Sequence, residues 1–402
     1  MIQSADYDFL LTSRKQLKAF NCFWAGFVIY TVASTLYKLG FITQFKYAEA
    51  FQGLGLFLFL FSSIFLINFR IENKYARYIF IIYILWLLTV VARGFSLNYQ
   101  FINILLFDDY FGIFPFLSPL VLLFPHKIVL FKRLFQFIVI LGIINLLVDV
   151  LFARDLLNRD ISDADSRSVA ENLTSRLAIP CTFLLLTLFY QIKKVKLFAW
   201  FVIFLTVCIA IIRARRGMLF TLVTPMLFAG YLYFLDSKKK IGMILIGLVT
   251  AAFIGVSGLQ FFSNSSFFDS FKSRINDDTR TGVEECYYND MKPMDWIIGK
   301  GMNGQYYCPH IDPNALTDYR SIIEADYLNI ILEGGTLSLG LFLLLTIPAA
   351  IKGIFYSKNN FTKAAGFWVL LWTRNLYPTT VVAFTFDYLL LWLAVGICYN
   401  AK

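Results

Sequence analysis

Residues 211–220 read IIRARRGMLF and place Arg213, Arg215 and Arg216 between two apolar runs. Three fixed charges within four positions are costly beside lipid. They raise two questions: which side of a membrane they face, and which anion they meet. The chain around them is 58% hydrophobic and 18% aromatic, outside the range of a soluble domain. The net charge of +10 does not point to nucleic acid, because the positive residues sit in short clusters between apolar runs, where they set topology.

Apolar length and charged flanks predict an all-α polytopic membrane protein of about twelve spans. They are placed at 20–37, 49–69, 78–92, 110–125, 134–153, 173–192, 197–212, 217–235, 241–262, 327–350, 364–378 and 380–400. The last two read as a hairpin or a re-entrant segment broken near Pro378. Residues 1–402 form one integral domain without an evident signal peptide or internal repeat. The N-terminal arm and the linkers 70–77, 127–133, 193–196, 238–240 and 352–363 fall on one side if the count alternates, and each carries three Lys or Arg. That side is expected to be cytoplasmic, with both termini.

Alternation puts Arg213–Arg216 on the opposite, outer side. The cytoplasmic side then holds 15 Lys and 4 Arg, the outer side 5 Lys and 12 Arg. Lysine suffices for topology, whereas arginine adds a planar fork that grips phosphate or carboxylate in two places. An arginine-rich outer face therefore suggests a bound anion. The plainer alternative is snorkelling to headgroups or pairing with acidic loop residues.

Two outer loops are long, 154–172 and 263–326, the second too long for a mere connector. Tyr287, Tyr288, Trp296, Tyr306 and Tyr307 give it aromatic faces suited to stacking on sugars, or to an interfacial belt. Cys286 and Cys308 share this loop, where oxidising surroundings would let them pair. From Asp326 a helix is expected, with Asp326, Asn329 and Glu333 on one face. Glu333 lies about two turns deeper and is read as a structural partner for an arginine, with Gly334 and Gly335 allowing close helix approach. Asp326 and Glu324 are better placed to meet a substrate. His126 and His310 are isolated, and no metal set or nucleophilic triad is recognised. The glycines of GKGMNG, residues 299–304, read as a turn.

In their order these pieces resemble the O-antigen polymerase (Wzy-like) and O-antigen ligase superfamily of bacterial membrane glycosyltransferases. IIRARRGMLFTL is similar to its Ser-Arg-Gly element, with Arg216 and Gly217 on the Arg-Gly and Arg215 where Ser is usual. SRSVAENLTSRLAIP is similar to an Arg-led segment ahead of a helix and places Arg167 and Asn172. TRTGVEECYYNDMKPMDWIIGKGMNG resembles the large periplasmic loop and places Arg280, Gly299 and Gly301. EADYLNIILEGGTLSLGLF resembles His-Asn-x-x-Leu followed by Glu-x-Gly, with Asp326 where His is usual and Tyr327 in place of Asn. That departure favours polymerases over ligases.

The resemblance covers roughly residues 160–350. It implies a GT-C-like fold in the inner membrane, no metal or other cofactor, and a glycan donor linked to undecaprenyl pyrophosphate. Membrane lipids and a chain-length regulator are the further partners it implies. On this reading Arg215, Arg216 and Arg280 hold the pyrophosphate, supported by Arg167 and Arg176. Asp326 is the general base with Glu324 as its alternative, and Trp296, Tyr287, Tyr306 and Tyr307 contact the glycan. Glu333, Gly334 and Gly217 are structural. The expected function is glycan polymerisation on the periplasmic face; the rivals are an O-antigen ligase acting on lipid A-core and an anion or lipid-glycan transporter.

The topology is open to a direct test. A cysteine at Arg213 or Met218 should react with an impermeant thiol reagent in intact spheroplasts. Labelling only after lysis overturns both the topology and the anion site.

Overall fold

The structure, a computed structural model, describes residues 14–42, 44–68, 71–97, 102, 106, 114–125, 128–157, 169–187, 193–213, 216–236, 281–309, 318–321, 323, 325–375 and 385–400. Among these, seven helices are long and apolar enough to cross a membrane: Arg14–Lys38, Lys46–Leu66, Lys74–Gly94, Arg133–Leu151, Lys194–Ile212, Gly217–Phe234 and Tyr327–Tyr356. Each overlaps one of the twelve expected spans. The span expected at 241–262 lies outside the described residues.

The chain divides into two compact units, Met1–Ile144 with Gly282–Lys402, and Asn145–Thr281. The first unit begins with α1 (Arg14–Lys38) and α2 (Phe45–Leu66), which pack closely along their length. Glycine permits this approach: a Cβ on Gly26 would meet the Gly55 carbonyl oxygen at 2.6 Å, and one on Gly55 the Gly26 carbonyl oxygen at 2.6 Å. Small residues bring backbones together where lipid gives no hydrophobic drive between helices. Phe23, Trp24, Phe27 and Phe59 fill the space around the contact. On the far side of α2, Phe57, Phe61, Ile64 and Phe65 are exposed, the arrangement expected where the solvent is hydrocarbon.

The helix α3 (Lys74–Gly94) is capped by the Asn73 side chain, which accepts from the Ala76 N–H at 3.0 Å. The expected span at 110–125 is not one continuous helix. Its described part is a single turn, α4 (Phe114–Leu117), followed by a 3-10 helix over Ser118–Leu123. Pro119 stands at the start of that 3-10 helix, and proline cannot donate to a preceding turn. Helix α5 (Ile128–Leu151) runs from the first unit into the second.

The second unit holds the end of α5, the short α6 (Ala153–Leu157), α7 (Val169–Leu186), α8 (Lys193–Ile212) and α9 (Arg216–Asp236). Helix α7 packs against both α8 and α9, and Leu177, Cys181 and Phe183 are fully buried on it. Its contact with α5 is polar. Asp149 accepts from Thr174 Oγ1 at 2.7 Å and from Asn145 Nδ2 at 3.1 Å, and all three residues are buried.

Back in the first unit, α10 (Thr281–Asp290), α11 (Pro293–Ile298) and the antiparallel pair β1 (Tyr306–Tyr307) and β2 (Tyr319–Arg320) are the described elements of the long loop. They sit on α12 (Asp326–Ile351). A π-helical turn over Lys352–Tyr356 leads to α13 (Asn360–Asn375) and α14 (Thr385–Asn400), which pack on each other.

Helix α12 is broken at Gly335, where φ is 70° and ψ −180°. This region of backbone space is almost confined to glycine and costs other residues about 1–3 kcal/mol. The carbonyl of Ile297 comes up against Gly335 so closely that no Cβ fits. Gly335 thus admits the backbone of α11, and Gly334 lies against Ser338 and Val90 of α3, so the pair allows the close helix approach that the sequence suggests.

Gly335→Ala should lower the thermal midpoint of the purified protein well beyond error. Gly340→Ala, on the same helix with nothing within 4 Å of the new Cβ, should leave it unchanged or raise it. Equal midpoints for the two variants would remove the role given to the break.

Candidate functional site

The loop is held to the ends of α3 and α12 by groups that the break exposes. In a continuous helix the carbonyls of Leu332, Glu333 and Gly334 would be satisfied along the axis. Here the Leu332 carbonyl accepts from the Lys300 N–H at 2.7 Å and that of Glu333 from the Gly301 N–H at 2.8 Å. The Gly334 carbonyl accepts from Trp86 Nε1 at 3.0 Å. Gly299 and Gly301 have φ of 71° and 93°, so the expected turn is present and aims two successive N–H groups at α12.

Arg93, in the last turn of α3, completes the attachment. Its guanidinium donates to the Gly299 carbonyl at 2.9 Å and the Ile298 carbonyl at 2.6 Å, and so caps α11. Asn303 Nδ2 donates to the Gly94 carbonyl at 2.7 Å, and the Met302 N–H to that of Val90 at 3.2 Å. At the other end of α11, Asp295 accepts from the Lys292 N–H at 3.2 Å, with Pro293 in the first turn. Lys300 Nζ pairs with Asp290 at 2.5 Å and donates to the Gln305 carbonyl at 3.0 Å.

Inside the loop, Val283, Tyr287, Met291, Tyr306, Ile323 and Leu328 share one buried core. Cys286 and Cys308 form a disulfide across it, with Cα atoms 5.1 Å apart. The pairing that the sequence leaves open is thus made. Asn329 ties the strand end to α12: its Oδ1 accepts from the Ile323 N–H and its Nδ2 donates to the Ile323 carbonyl, both at 2.8 Å.

This core corrects the reading of the aromatics. Tyr287 and Tyr306 are 0% exposed and offer no face to a sugar. The two rings meet edge to face at 5.6 Å. Burial, with the neighbouring Tyr288 next in effect, pushes the Tyr287 hydroxyl above the ordinary phenol range. Tyr287 therefore stabilises the loop as a neutral group up to about pH 10, and that stability falls as pH rises further. Trp296 is half-buried, with Tyr288 stacked on it at 5.8 Å. Tyr307 remains exposed and meets the exposed Tyr319, its cross-strand partner, at 5.6 Å. Tyr319 is an exposed aromatic that the sequence reading missed, brought to Tyr307 by strand pairing.

The remaining site residues divide between the two units. Asp326 is the first residue of α12, directly below the loop core, and Glu333 and Gly334 follow on the same helix. In the second unit, Arg176 lies in the second turn of α7, and Arg216 and Gly217 open α9. Arg167, Arg215, Arg280 and Glu324 lie outside the described residues. Among the described residues no cation pairs with the Glu333 carboxyl, and Arg93 is committed to the loop carbonyls. The Glu333 side chain borders a cavity of about 40 Å³.

Tyr287→Ala should cost the loop about 3–5 kcal/mol, the range for emptying a buried aromatic site, and make it sensitive to protease. Tyr307→Ala should leave protease resistance intact. If the two variants are cut alike, the distinction between buried and exposed tyrosines fails.

Compared with protein-family models, curated proteins and solved structures, the chain matched none.

Proposed function

We propose that the chain is a membrane glycosyltransferase of the O-antigen polymerase kind. It would act at the periplasmic face of a bacterial inner membrane, with both termini cytoplasmic. The observation that carries this reading is the placement of Asp326. It opens a long apolar helix directly beneath an ordered, disulfide-bonded loop that presents an exposed tyrosine pair. A disulfide fits an oxidising compartment, and the arginine bias of the same side fits an anionic donor.

In the proposed reaction Asp326 accepts the proton of an acceptor-sugar hydroxyl. The oxygen attacks the anomeric carbon of the donor glycan, and the bond to undecaprenyl pyrophosphate breaks. The charge that develops on the leaving pyrophosphate is stabilised by Arg215, Arg216 and Arg280, with Arg167 and Arg176 in support. The pyrophosphate leaves as an anion, so one carboxyl is enough, and no metal is invoked. Tyr307 and Tyr319 offer stacking faces to the glycan.

A second reading is favoured by one observation. A helix broken at membrane depth beside a carboxyl, as at Gly335 and Glu333, is also a feature of transporters.

The lipopolysaccharide ladder separates these readings. A strain lacking the gene should carry one repeat unit on core, and Asp326→Asn should reproduce that phenotype while protein abundance stays normal. Polymer accumulated on undecaprenyl pyrophosphate would indicate a ligase. Loss of all outer-face glycan, with repeat units retained inside, would indicate transport. Wild-type ladders from both Asp326→Asn and Glu324→Gln would exclude a carboxyl base.

A further inference from the structure

The cavity beside Glu333 has a composition that packing alone does not require. It lies between α3, α4, α12 and α14, and its walls include Tyr83, Phe116, Ser338, Phe342 and Trp392. Its volume of about 40 Å³ is room for roughly one to three waters. A cavity left by imperfect packing in lipid is lined by carbon and stays dry. This one has a carboxyl, two hydroxyls and an indole on its walls.

One polar group there is unsatisfied. The indole of Trp392, on a residue 1% exposed, has no hydrogen-bond partner for its Nε1–H. The Glu333 carboxyl has no cation among the described residues. A buried donor left unpaired is costly, and water between it and the half-buried carboxyl would remove most of that cost. Of the groups lining the cavity, α3 brings Tyr83 as the one other titratable side chain. The linings from α4 and α14 are Phe116 and Trp392, and α12 adds Ser338 and Phe342. Among the described residues, the cations at this end are engaged elsewhere, Arg93 with loop carbonyls and Lys300 with Asp290.

We infer that this cavity is a proton-binding site, in which Glu333 takes up and releases a proton through water held against Tyr83, Ser338 and Trp392. In the loaded state the proton resides on a carboxyl oxygen and is shared with a cavity water. On release it passes to that water and leaves a carboxylate, toward which the indole N–H and the two hydroxyls donate through water. The backbone break lets this happen without disturbing the helix. The Glu333 and Gly334 carbonyls are held by Gly301 and Trp86 whichever state the side chain is in. The site does not depend on what the outer face does to glycans.

The full chain in lipid nanodiscs can be treated with dicyclohexylcarbodiimide, an apolar reagent that attacks only protonated carboxyls, and the adduct located by peptide mass spectrometry. Glu333 should be labelled at mildly acid pH, with a rate that falls about tenfold for each pH unit above the midpoint of its titration. Sodium or potassium salts should not protect it. Trp392→Phe removes the donor that favours the carboxylate, so labelling at the alkaline end should rise roughly five-fold, the equivalent of one hydrogen bond. Absence of adduct at every pH would mean a carboxylate held by an ion pair, and pH-independent labelling would mean a proton that never leaves. Protection by sodium or potassium would mean a metal-cation site. Any of these three results overturns the inference, as does an unchanged pH profile in Trp392→Phe.

Discussion

Every peptide group inside hydrocarbon must find a partner within the protein, and α12 meets that demand in an unusual way. Its axis breaks at Gly335, and the carbonyls just before the break turn to Lys300, Gly301 and Trp86. The break would be untenable without the loop, and the loop would have nothing to sit on without the break. The loop's disulfide, its tyrosine core and its exposed tyrosine pair all take their position from this exchange of hydrogen bonds. So does the register of Asp326 at the head of the helix.

Arg93 makes the exchange specific. A lysine could answer one carbonyl, but the fork of arginine answers two at once, here those of Ile298, the last residue of α11, and of Gly299 just after it. The arginine excess that the sequence assigns to the expected outer side, and that suggests anion binding there, is therefore in part structural. At least one of those twelve arginines grips main-chain oxygen. Which role an outer arginine takes depends on whether a helix C-terminus lies within its reach.

Much of the architecture is legible in the chain because lipid imposes a length. Runs such as 78–92 and 197–212 admit few other readings. Residues 114–123 pass for part of a plain span because hydropathy is blind to proline spacing, and Pro119 decides the local geometry. The turn at Gly299 and Gly301 is legible from composition alone. Tyr287 and Tyr306 are not: a tyrosine in a polar loop looks the same whether its ring faces solvent or fills a small core. Asp149 is hidden for another reason. A single acid within a long apolar run scarcely changes mean hydropathy, yet it governs how α5 meets α7. Glu333 stands out in the sequence as costly at its depth, but the cavity that it lines is assembled from four helices and is not legible there.

The contact of Gly26 with Gly55 bears on the order in which the protein is made. Residues that meet between α1 and α2 are near neighbours in the chain, so this hairpin is complete before most of the protein has left the ribosome. The grip of Arg93 on Gly299 spans 206 residues, and that of Asn303 on Gly94 spans 209. The end of α3 must therefore wait, with its carbonyls unanswered, through the synthesis of half the chain. Membrane chaperones that shield polar helix ends during insertion would find that waiting segment, and not the N-terminal hairpin, the part of the nascent protein in need of them.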